Sequence, residues 1–307
     1  MTGMNTRVGK RTFAGIDVGK TKTAAAVVTE EGRIISNAVI ATDLRDDGVH
    51  VRENAKSLLR KVIGESGHSV EGIGVCWVGV VDTPSGRIEY SSIKETSGKD
   101  ITGIIEKEFS VPALAGDDVT TPGYGEWRYG AGMGYGTAAY MTISTGTGMS
   151  VVKDGKLWKG SHNIAGIFGA MEVYGKGNSI ESVFSGKGIS ELASNALGRD
   201  VSTAEAFALA AGESGPCHDI IDRAARVAGS VVAGTQCLID PDVIVIGGSV
   251  ANNQPGFVDR IREEANAIME PYRFKLPNGL NVVGSALGQY NGILGAVGLL
   301  VQRLDGR

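Results

Sequence analysis

The chain has 307 residues, 42% hydrophobic and 21% charged, with a formal net charge of −4. That length suits two domains with sizeable cores, and a weakly acidic chain without a basic tail excludes nucleic acid as the main partner, because phosphate neutralisation needs clustered Lys and Arg. No apolar run approaches the roughly 20 residues that span a bilayer, and the opening MTGMNTRVGKRTF lacks the apolar core of a signal peptide.

In chain order, TFAGIDV at 12–18 is a short apolar strand ending in a carboxylate. After GKTK, the stretch TAAAVVTEEGRIISNAVIA reads as a strand, an EEG turn and a third strand. Residues 47–67 switch to helical spacing, with Val51, Ala55, Leu58, Leu59, Val62 and Ile63 on one face. VEGIGVCWVGVVD at 70–82 is a buried strand, ITGIIEKEF at 101–109 a helix, and VPALAGD at 111–117 a strand ending in carboxylates. A similar order begins at 137 with TAAYMTIS, the glycine hairpin TGTG and MSVVKDGKLW. Helices follow at about 186–197, 202–212 and 219–238, then a strand at 242–248, a helix at 256–270, a strand near 280–284 and a helix at 290–303. Each half opens with a strand, a Thr/Gly hairpin and a returning strand, a weak internal duplication. The expected class is α/β, with an N-terminal lobe over 1–115, a C-terminal lobe over 116–307, and the final helix, 290–307, packing on the first lobe.

Cys76, Cys217 and Cys237 form no CxxC pair. They read as buried thiols of a reducing, cytoplasmic compartment. Glycine is the outlier: 46 residues, roughly twice the usual share. The glycines cluster, and clusters of this kind mark places where backbone approaches a ligand.

The first cluster is Asp17-Val18-Gly19-Lys20-Thr21-Lys22. Gly19-Lys20-Thr21 ends like a P-loop, but Gly15 stands one residue too close, and the following TAAAVV reads as a strand where a P-loop opens a helix. A hairpin of small residues fits better. By itself it is either an ordinary β-turn or a nest of backbone N–H groups for phosphate oxygens, with Asp17 beside it to hold Mg²⁺ through water. Ser144-Thr145-Gly146-Thr147-Gly148 is a second such hairpin. Val245-Ile246-Gly247-Gly248-Ser249 is a strand ending in small residues, where a glycine pair lets a flat base lie against backbone.

Together these segments resemble the sugar-kinase and actin superfamily, and within it the ROK family (repressors, uncharacterised frames and sugar kinases). FAGIDVGKTKTAAAVV resembles the first phosphate motif and MTISTGTGMSVVKDGKLWKGSHNIAG the second. GIGVCWVGVVDTPSGRI is similar to the family's strand and Pro-Gly-x-Asp turn, with Val78 where proline is usual. GDDVTTPGYGE resembles the catalytic-aspartate motif, PDVIVIGGSV the adenosine motif and SALGQYNGILGAVGLL the closing segment. The resemblance implies two ribonuclease-H-like (actin-like ATPase) lobes with an interlobe cleft, ATP and Mg²⁺ as cofactors, and a hydroxylated small molecule as phosphate acceptor. It puts Gly19, Lys20, Thr21, Lys22, Thr145, Gly146, Thr147, Gly148, Gly247, Gly248 and Ser249 on the nucleotide. Asp118 falls on the catalytic base and Asp117 where the family usually has Asn. Read without the resemblance, Asp118 before Thr120-Thr121-Pro122 would serve as a helix N-cap.

The departures bear on the substrate. The family's Ala-Gly-Glu-x-Gly-His, whose Glu and His hold sugar hydroxyls and whose His ligates zinc, is here Ala165-Gly166-Ile167-Phe168-Gly169-Ala170. The cysteine-rich zinc loop is replaced by GAMEVYGKGNSIES, so no zinc is expected. Glu181 aligns with the Glu closing that loop and is kept as a substrate ligand; Ser92 stands near the family's Asn. His162, in GSHNIAG, is either a surface-loop residue or a substrate contact. Trp127 and Trp158 read as packing residues. The expected function is ATP-dependent phosphorylation of a hydroxyl on a sugar or sugar-like compound other than ordinary glucose. The alternative is a non-catalytic ligand sensor of the same fold without a DNA-binding domain, since about eleven residues before the first strand are too few for a helix-turn-helix. Partners expected are a small hydroxylated substrate and a second copy in a homodimer, with neither nucleic acid nor membrane.

Overall fold

A computed structural model describes residues 11–306 apart from 174, 176 and 213. The chain divides into two compact units, one running to Gly125 and resuming at Tyr290, the other spanning Glu126–Gln289.

The first unit begins with three antiparallel strands, β1 (Thr12–Val18), β2 (Lys22–Thr29) and β3 (Ile34–Ala41). Helix α1 (Val51–Ser66) follows, burying Val51, Ala55, Leu58, Leu59 and Val62 along one stripe as the spacing requires. Next come β4 (Ile73–Trp77), the small ribbon β5 (Val80–Asp82) and β6 (Arg87–Tyr90), α2 (Ile101–Phe109) and β7 (Ala113–Asp117). Strands β4 and β7 extend the sheet in parallel, giving the order β3-β2-β1-β4-β7. The expected single strand over 70–82 is in fact β4 and β5. It breaks at Val78–Gly79, because Gly79 has φ +121 and a Cβ there would lie 2.1 Å from the Tyr90 carbonyl oxygen. Ser91 fixes the break by donating its hydroxyl to the Val78 carbonyl at 2.8 Å.

Helix α3 (Thr120–Tyr129) carries the chain into the second unit, whose sheet repeats the pattern. Strands β8 (Thr137–Ile143), β9 (Thr147–Lys153) and β10 (Lys156–Leu157) form the antiparallel part. Helices α4 (Ile180–Phe184), α5 (Gly186–Leu197), α6 (Thr203–Leu209) and α7 (Pro216–Ile239) follow, then β11 (Val243–Gly247), α8 (Ser249–Asn253), α9 (Pro255–Met269) and β12 (Val282–Gly284). β11 pairs in parallel with β8 and β12, so the order is β10-β9-β8-β11-β12. The duplication visible in the sequence is thus one sheet topology used twice. The last helix, α10 (Asn291–Leu304), belongs to the first unit and packs on β1 and β4. Glycine on the strands admits it: a Cβ on Gly74 would lie 2.4 Å from the Ala296 carbonyl carbon.

The sheet and α1 enclose one core, around Ile16, Val27, Leu59 and Trp77. A larger core joins β8, β9 and β11 to α4, α5, α7 and α9, around Met141, Phe184, Val232 and Ile261. Two local expectations need correction. Cys237 lies on an exposed turn of α7, whereas Cys76 and Cys217 are buried, and Trp158 is 53% exposed rather than packed. No helix among the described residues is long and apolar enough to cross a membrane.

Candidate active site

In the first unit the parallel strands β1, β4 and β7 bring three aspartates together at their carboxyl ends, where open α/β sheets place their ligand sites. Asp17 is in register with Cys76 on the central strand, and Trp77 with Asp117 on the next. The Cys76 thiol, fully buried, donates to the Asp117 carbonyl at 3.6 Å. On the other side Gly292 of α10 lies against Asp17, close enough that a Cβ would meet Oδ2 at 2.6 Å.

Asp117 and Asp118 are adjacent but differently engaged. Asp117 Oδ1 accepts from the N–H groups of Val119 (3.0 Å) and Thr120 (2.6 Å), and Oδ2 accepts the Thr120 hydroxyl at 2.6 Å. That is the bonding of an N-cap. The capping expected of Asp118 is therefore done by its neighbour. Asp118 Oδ1 instead accepts from the Gly79 N–H at 3.1 Å. Burial pushes its carboxyl up to about 7; the Gly79 bond works against that, while the charges of Asp117 and Asp17 add to it. Asp17 is raised to about 6, again chiefly by burial, with the Cys76 thiol and Lys22 opposing. The thiol itself is pushed well up by burial and by the carboxylates around it. A carboxyl poised near 7 suits a proton acceptor at physiological pH. Asp17, a hard oxygen donor in a cluster of negative charge, fits a Mg²⁺ ion, bound directly or through water.

The first hairpin places Lys20, Thr21 and Lys22 on its exposed tip, closed by Gly19 N–H donating to the Lys22 carbonyl at 3.0 Å. Thr42 at the end of the neighbouring strand locks it: its hydroxyl donates to the Gly19 carbonyl at 2.8 Å, and its N–H to the Thr21 carbonyl at 3.1 Å.

In the second unit the other hairpin joins β8 to β9, and its tip docks on the start of α5. Gly186 and Lys187 donate N–H bonds to the carbonyls of Ser144 (2.7 Å) and Thr145 (3.2 Å). The Ser144 and Ser249 hydroxyls are 3.0 Å apart, so this hairpin and the β11–α8 turn meet. Gly248 makes that possible. It has φ +93, and a Cβ would sit 2.5 Å from the Ile143 carbonyl oxygen. Gly247 likewise faces the Tyr140 ring, at 2.8 Å from a Cβ position. The glycine pair thus serves close packing of the turn. A cavity of about 410 Å³ opens beside it, lined among others by Thr145, Lys187, Thr203, Phe207, Ser249 and Asn253. Hydroxyls, an amide, a lysine and one aromatic ring suit a nucleoside and its phosphates. The Thr147 hydroxyl donates to the Thr142 carbonyl at 2.8 Å, so its proton is committed within the hairpin. Glu181, in the first turn of α4, accepts from the Thr147 N–H at 3.2 Å.

These features are those of one family. Residues 13–303 of the chain match the ROK family.

The chain belongs to the ROK family.

This ROK protein is similar to the N-acetylmannosamine kinase of Vibrio cholerae, 29% identical over 294 residues that cover 92% of this chain and 96% of that one. Among solved structures, the ROK hexokinase of Thermus thermophilus matches with a TM-score of 0.83 at 26% identity, covering 96% of this chain and 100% of the other. A ROK family glucokinase from Streptomyces griseus, in complex with glucose and AMPPNP, matches with a TM-score of 0.75 at 26% identity over 94% of this chain and 98% of that one.

Ser92 is exposed, and its buried neighbour Ser91 is the residue bonded to the Val78 loop. His162 sits in an exposed turn. The segment standing in place of the zinc loop closes by backbone pairing, with a Glu172–Ser179 bridge, Val173 N–H to the Asn178 carbonyl at 3.0 Å and Ile180 N–H to the Met171 carbonyl at 2.8 Å. Sequence reasoning missed Gly79, Cys76 and Gly292 around the aspartates, and the Lys187, Thr203, Phe207 and Asn253 walls of the cavity. Ser185-Gly186-Lys187-Gly188, a capped helix start rich in glycine, was the one local signal for the cavity.

Proposed function

We propose that this ROK protein transfers the γ-phosphoryl group of ATP to a hydroxyl of a sugar or sugar-like compound other than unmodified glucose. The observation that carries the proposal is Asp118, a half-buried carboxyl at the end of β7, raised to about 7 and aimed by the Gly79 N–H. Such a group accepts the proton of an attacking hydroxyl, while positioning and charge neutralisation supply most of the rate. Asp117 keeps Asp118 in place by fixing the start of α3. Asp17 would hold Mg²⁺, which neutralises charge on the phosphate oxygens when bound. We assign the two hairpins to the phosphates, the cavity beside Ser249 to the nucleoside, and Glu181, with Ser92 and His162 as further candidates, to the acceptor. The use of ATP fits a cytoplasmic enzyme.

The comparisons support a carbohydrate kinase but name more than one sugar. For the acceptor, the support is in the residues: Ile167 and Ala170 are exposed and apolar where sugar-binding Glu and His would stand. Apolar side chains there favour an acceptor bearing an acyl or deoxy group over one with a full set of hydroxyls, because they offer no hydrogen-bond partner in place of the missing Glu and His. The deciding experiment is a panel of sugars, N-acyl amino sugars, deoxy sugars and polyols scored by ADP release with the phosphorylated product identified. Turnover of none of them, in a protein that still binds ATP, would favour the sensor reading.

A further inference from the structure

Glu181 occupies the place on the second hairpin that an anion would take. Its Oε2 accepts from the Thr147 N–H at 3.2 Å. The same oxygen lies over Gly146, where a Cβ would come within 2.7 Å of it. A free N–H next to a bare α-carbon is the feature by which a hairpin cradles a phosphate oxygen, and a carboxylate oxygen is its closest side-chain equivalent. The contact is built rather than incidental. Glu181 donates its own N–H to the Gly169 carbonyl at 2.9 Å, and Oε2 also faces the Gly169 α-carbon, 3.2 Å from a Cβ position. Two glycines, one on each flank, are therefore what lets the carboxylate lie down on the hairpin.

We propose that Glu181 is a displaceable internal anion: its carboxylate holds the Thr147 N–H in the ligand-free protein and must leave before a phosphate oxygen can take that position. The proposal rests on the reading of the 145–148 hairpin as a phosphate site. Glu181 is exposed, so water receives the carboxylate when it turns away, and the displacement is cheap enough to be reversible. Two consequences follow. The nucleotide binds more weakly than the hairpin by itself would allow. Any acceptor hydroxyl that gives Glu181 a different donor tightens nucleotide binding, and by linkage the nucleotide tightens the acceptor to the same degree. ATP bound without an acceptor is then disfavoured, which limits wasteful hydrolysis.

The test uses nucleotide binding without acceptor, so that any contact of Glu181 with the substrate plays no part. Calorimetry with Mg²⁺·AMPPNP and with inorganic tripolyphosphate compares the wild type, Glu181→Gln and Glu181→Ala. One competing hydrogen bond and a repelling charge removed should tighten binding by about 2- to 10-fold, more in Glu181→Ala, where no side-chain acceptor remains. In the ligand-free protein, hydrogen exchange at the Thr147 amide should be faster in Glu181→Ala than in the wild type. Measurable wild-type binding that is unchanged or weaker in both variants overturns the proposal and leaves the kinase reading standing. Equal Thr147 protection in Glu181→Ala and wild type also overturns it. Failure of all three proteins to bind either probe overturns the kinase reading and this proposal with it.

Discussion

Asp117 and Asp118 share a peptide bond, yet one carboxylate ends a strand by starting a helix and the other is left to reach Gly79 across the sheet. Asp117 accepts three bonds from the first turn of α3, and Asp118 accepts the Gly79 N–H. The first aspartate fixes backbone; the second is positioned by it.

That division predicts opposite outcomes for two substitutions. Asp118→Asn should lower turnover by ~10²–10⁴ with little change in ATP binding, because the carboxylate acts as the hydroxyl proton moves. Asp117→Ala should instead lower stability by ~0.5–2 kcal/mol, the worth of an N-cap, and Asp117→Asn should largely restore it. Steady-state kinetics and urea denaturation on the same preparations separate the two. If Asp117→Asn abolishes turnover and Asp118→Asn does not, the base is Asp117.

Acidity gives a second check. Both Asp118, at about 7, and Asp17, at about 6, are raised above the ordinary value of 3.8. The folded protein therefore holds their protons more tightly than the unfolded chain does. Their contribution to stability is full below the unfolded value and is lost as pH rises through about 6 to 7. Asp118→Asn should raise the melting temperature relative to wild type at pH 8 and lose that advantage near pH 4. Wild-type activity should show an acid limb near 7 that reports the base; an acid limb near 4 would contradict the assignment.

The β11–α8 turn is set by Gly248. Adding a Cβ at φ +93, 2.5 Å from the Ile143 carbonyl oxygen, combines backbone strain with a clash. Gly248→Ala should cost about 1–3 kcal/mol and weaken nucleotide binding, since the turn carries Ser249 into the cavity. Thermal melts with and without ATP would show both effects, and a variant as stable as wild type would be the contrary result.

Thr147 should behave as a structural residue of its hairpin. Its hydroxyl donates to the Thr142 carbonyl, so Thr147→Val leaves that acceptor unpaired at a cost of ~0.5–1.5 kcal/mol, and Thr147→Ser recovers it. A loss of nucleotide affinity without loss of stability would show that the hydroxyl serves phosphate instead.

Metal removal is the last check. The Glu172–Ser179 bridge and the Ile180–Met171 bond beside it are backbone contacts, and the sequence from Met171 to Ser182 carries no cysteine to ligate zinc. Chelator treatment should leave the melting temperature unchanged, and elemental analysis should find no stoichiometric zinc. About one zinc per chain would reverse this.

The sequence by itself determined most of the elements and their order, though not β6, α4 and α8, nor the division of 70–82 into β4 and β5. Alternation and apolar runs mark β1, β2, β8, β9 and β11, helical spacing marks α1 and α7, and Thr/Gly turns mark both hairpins, because each signal is contained within a few residues of chain. It also determined that Asp17, Asp117 and Asp118 end strands, since carboxylates close the runs IDV and LAGDD. What each carboxylate does was decided only in three dimensions. Asp117 caps because the backbone beyond β7 turns two N–H groups toward it, and Asp118 is raised chiefly by burial, with the charges of its neighbour Asp117 and of Asp17 from the distant strand β1 adding to it. The break at Gly79, the cavity gathered from residues 144 to 254, and the Glu181 carboxylate on Gly146 have the same origin. Packing and desolvation are properties of neighbours in space, and a pattern read along the chain carries no measure of them.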